Sequence, residues 1–116
     1  MDNEYGIKFD YTIENNEVMI KGEFKIPENG NYNLKDILQK SIVMSLMYNT
    51  NYSVFRPFEN IVIFKDDVNI MDNVIKGFFN FNLTPIINDT GVDIYYVLFS
   101  MGPYLSDIKM INLSDN

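Results

Sequence analysis

Residues 91–113 read GVDIYYVLFSMGPYLSDIKMINL, the most strand-like stretch of this 116-residue chain. Side chains along a strand point alternately to its two faces, so apolar residues spaced by two mark a buried face. The spacing predicts two strands, 92–101 and 105–113, joined at Gly102-Pro103, because proline cannot donate to a ladder and glycine permits the turn. From Tyr95 to Phe99 both alternating faces are apolar, whereas the second strand is apolar mostly on one. A strand of that kind is expected to be central in its sheet, its second face covered by another part of the chain or left as an apolar patch for a partner, with the partner slightly favoured. A hairpin alone is marginal in water, so the rest of the chain has to supply partners.

It does so with a similar alternation. In residues 5–13, Ile7, Phe9, Tyr11 and Ile13 alternate with Lys8, Asp10 and Thr12, and the polar run 14–17 closes the strand. Residues 18–26 set Val18, Ile20, Gly22, Phe24 and Ile26 against Met19, Lys21, Glu23 and Lys25, with Pro27 as terminator. Residues 75–85, IKGFFNFNLTP, echo residues 20–27, IKGEFKIP. The echo suggests two strands lying side by side, with both glycines where backbones or large side chains crowd. Residues 33–48 are ambiguous. Asn33 suits an N-cap and Asp36 a first turn, while 42–48 alternate, so a short helix near 33–40 feeding a strand near 41–49 is expected. A single helix through Tyr48 is the alternative. Residues 49–59 read as a loop carrying aromatics and 60–64 as a short edge strand, followed by polar patches at 65–67 and 72–73.

The sum is about seven strands, with turn signals about every 10–15 residues and one short helix. The expected fold is all-β: one antiparallel β-sandwich domain spanning 1–116. Asp93-Ile94-Tyr95-Tyr96-Val97 resembles the tyrosine-bearing penultimate strand of immunoglobulin-like and fibronectin-type sandwiches. The Cys–Trp–Cys core of antibody domains is absent. The resemblance therefore implies an immunoglobulin-like architecture and carries no function.

Charge and missing residue types narrow the function. Sixteen acidic against nine basic residues give a net charge of −7, with no two basic residues adjacent. Neither nucleic acid nor an anionic membrane is an expected partner. With no cysteine and no histidine, thiol chemistry, Ser-His or Cys-His catalysis and Cys/His metal sites are all excluded. The glycines stand singly, so no phosphate loop or nucleophile elbow is present. No enzymatic activity is expected. The acidic start lacks the basic and apolar regions of a signal peptide, and no apolar run reaches the ~18–20 residues of a membrane span. A soluble, cytoplasmic protein is expected, with secretion open if a signal peptide has been removed.

What remains is binding. Tyr, Phe, Met and Arg are enriched at protein interfaces. The expected interaction residues are Phe78, Tyr96 and Leu98 on the strands, Tyr104 at the hairpin tip, and Tyr52, Phe55, Arg56 and Phe58 in the 49–59 loop. The expected role is a protein–protein interaction or assembly module, pairing with itself as a homo-oligomer or with another protein through a strand face or edge. No cofactor is expected. A second reading is a carbohydrate- or calcium-binding domain, in which Asp66, Asp67 and Asp72 would hold Ca²⁺; solvated turn carboxylates are the plainer explanation of those acids. A third is an acidic inhibitor or immunity-type protein for a basic partner, which rests on charge alone.

Overall fold

The computed structural model describes residues 5–28, 42–49, 54–55, 58–61, 63, 65–88 and 90–115. The helix expected near 33–40 lies outside them. The described residues are all-β, with no helix longer than one turn. None of their helices is long and apolar enough to cross a membrane.

Two antiparallel sheets form. The first has the order β1-β2-β7-β6, from β1 (Gly6–Glu14), β2 (Glu17–Pro27), β6 (Val68–Met71) and β7 (Val74–Asn82). The second runs β10-β8-β3, from β3 (Ile42–Asn49), β8 (Ile94–Met101) and β10 (Lys109–Asn112). Two short strands, β4 (Val54–Phe55) and β5 (Phe58–Ile61), pair with β3, and β9 (Tyr104–Leu105) pairs with β8.

Local chemistry fixes the hairpins of the first sheet. Asn15 and Asn16 have φ of 52° and 65°, and Asp72 and Asn73 have φ of 54° and 63°. Two successive residues in the left-handed region make a type I′ turn, whose twist suits a two-residue hairpin and which Asn and Asp tolerate. The first turn joins Glu14 to Glu17, and the second joins Met71 to Val74. The second hairpin corrects the sequence reading, which took 72–73 as a polar patch and left out the strand before it.

Three further expectations change. Residues 49–59 are not simply a loop, since β4 and the start of β5 both lie within them and pair with β3. The single helix through Tyr48 is excluded by β3. The strand expected at 105–113 is split into β9 and β10 by Ser106–Ile108. Buried Ser106 causes the break: its Oγ accepts the Phe99 N–H at 2.8 Å, while its own N–H donates to the Phe99 carbonyl at 2.8 Å. A side chain thus takes the place of a ladder carbonyl.

The core fills the space between the sheets, and the β2–β7 pairing shapes it. Gly22 stands opposite Phe79, and Phe24 opposite Gly77. A β-carbon at Gly22 would lie 2.1 Å from Phe79 Cζ, and one at Gly77 2.3 Å from Phe24 Cζ. Each phenyl ring therefore rests on the bare backbone of the opposite glycine, as the repeated Ile-Lys-Gly suggested. Phe9, paired with Gly22 from the other side, completes the row Phe9–Gly22–Phe79. Phe99 of the second sheet packs against both phenylalanines, with ring centroids 4.8 Å from Phe9 and 5.0 Å from Phe79. These edge-on and tilted contacts join the two sheets face to face.

One side of the sandwich is closed where β1 meets the second sheet. Lys109 Nζ lies 3.6 Å from Asp10 Oδ1, and the Tyr11 hydroxyl donates to the Met110 carbonyl at 3.4 Å. The Tyr5 and Tyr104 rings meet edge-on at 6.3 Å.

Candidate functional site

Strand β8 sits between β3 and β10, central as expected. Its inward residues Tyr95, Val97, Phe99 and Met101 are wholly buried. Tyr95 holds the strand to the loop before it. Its hydroxyl is hydrogen-bonded to Thr90 Oγ1, and the two hydroxyls lie 3.4 and 3.0 Å from the Ile87 carbonyl, which accepts from this pair. Tyr48 packs edge-on to the Tyr95 ring at 5.3 Å.

Burial pushes the Tyr95 phenol above its ordinary value; the hydrogen bond with Thr90 opposes this, and the charges of Tyr48 and Asp93 add to it. A phenol whose folded pKa is raised contributes stability that is complete below the unfolded value of about 10 and is lost as pH rises through the folded one. Melting temperature is therefore expected to fall above about pH 10. Tyr95→Phe should lower it at neutral pH and flatten the alkaline limb. A parallel alkaline limb in the two proteins would show that Tyr95 does not titrate with unfolding.

The outward face of β8 is partly open. The sequence leaves open whether this chain or another molecule covers it, and in the single chain Ile94 and Tyr96 are exposed and Leu98 is half-buried. Register places Met47 of β3 and Met110 of β10 on either side of Tyr96, forming one row across three strands. Tyr96 is 40% exposed and Met110 48%. Leu98 pairs with Ser45, which pairs in turn with Phe58, and Ser100 pairs with Val43. No charged residue occurs among Val43, Ser45, Met47, Ile94, Tyr96, Leu98, Ser100 and Met110. This uncharged, half-exposed sheet face belongs to a chain of net charge −7.

Of the expected interaction residues, Tyr96 and Leu98 lie on this face, and Phe58 is in register with it. Phe78 is elsewhere: it stands on the outer face of the first sheet, paired with Glu23 and 59% exposed. Tyr104 is half-buried against Tyr5 and the core, so Leu105 is the more exposed residue at the tip. Phe55 belongs to β4, paired with Tyr48. Tyr52 and Arg56 lie outside the described residues. Met47 and Met110 were missed. Their alternation was legible, but their position beside Tyr96 depends on a register that only the fold supplies.

The acidic residues proposed for calcium separate. Asp66 and Asp67 lie in a 3₁₀ turn before β6, and Asp72 in the turn after it. At about 3.3 Å per strand residue, Asp67 and Asp72 stand about 16 Å apart along the chain. Among the described residues no three acidic side chains gather in a group that could hold a metal ion. The acids belong to turns at opposite ends of one strand.

No family model matches this chain, and searches of curated proteins and of solved structures also find no match.

Proposed function

We propose that this protein is a non-enzymatic assembly module that pairs with a second copy of itself through the outer face of the second sheet. The carrying observation is the row Met47–Tyr96–Met110. A two-fold axis through Tyr96 would set ring against ring and each methionine against the other, the self-complementary arrangement of a symmetric dimer. Electrostatics favours the same face. Two chains of charge −7 repel wherever their acidic surfaces meet, and this face brings no charge to the contact. Aromatic and methionine side chains are also the types that interfaces concentrate.

The strand order supports an immunoglobulin-like reading of the frame. The orders β1-β2-β7-β6 and β10-β8-β3 correspond to the ABED and GFC sheets of that architecture. The Tyr95 hydroxyl reaching back to the Ile87 carbonyl resembles its tyrosine corner.

Sedimentation velocity from micromolar to millimolar protein tests the pairing. Association is expected to strengthen with salt, because screening relieves the repulsion between like-charged copies. Tyr96→Lys should give a monomer with unchanged circular dichroism. A wild-type chain that stays monomeric at the highest concentration and salt would overturn the reading.

A further inference from the structure

On the opposite side of the molecule, the outer face of the first sheet carries a groove of about 370 Å³. Tyr5, Lys8, Glu23, Lys76, Phe78 and Asp107 are among the residues that line it. We propose that this groove binds a neutral saccharide: a hexose or a disaccharide of hexoses.

Register puts the chemistry in place. Lys8, Glu23 and Phe78 stand side by side on β1, β2 and β7, as one row across the outer face. A donor, an acceptor and an aromatic ring thus follow one another at the strand spacing of about 4.8 Å. In the neighbouring row Lys76 adds a donor, while Gly6 bears no side chain and leaves room beside Lys8. Tyr5 closes the groove at its β1 end. Its ring is met edge-on by Tyr104 at 6.3 Å, and Lys25 Nζ lies 5.9 Å from the ring centroid. Lys25 therefore belongs to the wall, where it helps to fix the ring. Tyr5 and Phe78 are both exposed. Strands β1 and β7 are two strand spacings apart, about 10 Å, a span that a mono- or disaccharide fills.

The balance of charge selects among ligands. Lys8, Lys21, Lys25 and Lys76 share the outer face with Asp10, Glu14, Glu17 and Glu23, so neither sign prevails. An anion in the groove would meet Glu23 and Asp107, and a cation would meet the lysines. A wholly apolar ligand would strip water from these charged groups and return no hydrogen bond, which is costly. What fits is a neutral molecule whose rim both donates and accepts and whose face is apolar. A pyranose has that form: each hydroxyl donates and accepts, and its axial C–H groups make a face that can lie on an aromatic ring. Hydrogen bonds from such hydroxyls to Glu23 and Lys76 are charge-assisted, the stronger kind. The volume is in the range of small-molecule sites, and apolar walls with a few convergent polar groups are their usual form.

Amide chemical-shift titration of the full chain with glucose, galactose, mannose, N-acetylglucosamine and cellobiose tests this. Erythritol, which has hydroxyls but no ring face, and inorganic phosphate are the controls. The expected result is saturable binding of at least one sugar at millimolar concentration, with the largest shifts at Glu23, Gly77 and Phe78. Neither control should saturate. Glu23→Gln should weaken binding about tenfold, the scale of one charge-assisted hydrogen bond. Phe78→Ala should abolish saturation, and Glu14→Gln, at the far end of the same sheet face, should change nothing. The proposal is overturned if no sugar saturates, if the shifts fall away from the groove, if phosphate binds as tightly as the best sugar, or if a folded Phe78→Ala protein binds as wild type does. Self-association through the second sheet is read independently of this titration.

Discussion

Alanine at Gly22 is expected to destabilise the protein by about 1–3 kcal/mol, the range for overpacking a core, and to lie near the top of that range. The new methyl carbon would sit 2.1 Å from Phe79 Cζ and about as close to both Cε atoms, at 2.5 and 2.6 Å. The ring is buried, with Phe99 5.0 Å away on its other side, so it cannot withdraw without moving the opposite sheet. Gly77→Ala should act in the same way through Phe24. Urea denaturation would measure both. Pairing Gly22→Ala with Phe79→Leu supplies the decisive comparison: a smaller side chain opposite the methyl should recover part of the loss, giving a coupling of about 0.5–3 kcal/mol between contacting sites. Strictly additive losses would mean that ring and glycine do not share their space as described.

Phe99→Ala is the second large effect. Phe99 is wholly buried and touches Phe9 and Phe79 across the sandwich. Truncating a buried phenylalanine costs about 3–5 kcal/mol from lost transfer energy and the cavity left behind. Against a typical total stability of about 5–15 kcal/mol, that is enough to bring the protein close to unfolding at body temperature. Phe78→Ala is the control, since its ring points out from the first sheet; exposed substitutions usually stay within about 0.5 kcal/mol. Similar midpoints for the two variants in a chemical melt would contradict the inward and outward assignments of β7 and β8.

The contrast between Phe78 and Phe79 marks how much of the fold was legible in the sequence. Alternation along β1, β2 and β7 could be read directly, because each presents one face to the core and one to water. The Ile-Lys-Gly echo revealed the neighbouring strands, since a glycine opposite a phenylalanine on both sides of a pair leaves a mark in each segment. The β6–β7 hairpin was hidden, although Asp72-Asn73 is good type I′ chemistry, because four residues are too few to show a period. Ser106 was also hidden. Nothing local distinguishes a serine that accepts a ladder hydrogen bond from one facing water. At the candidate site, Tyr96 and Leu98 stood out by composition and position. The row they belong to did not, since Met47 and Met110 lie about 50 and 14 residues away along the chain, and only the register brings them together.

The β2–β7 pairing also bears on how the protein reaches its fold. The first sheet consists of two hairpins, each closed by a two-residue turn and therefore local in sequence. They meet along a single seam, between strands whose paired residues run from Pro27 with Val74 to Met19 with Asn82, all distant in sequence. Local turns close fast, and long loops close at an entropic cost that must be met before distant contacts reward it. The two glycines sit on that seam. They admit the rings that make the distant pairing worthwhile, so they govern the joining of the two early units as well as the density of the finished core.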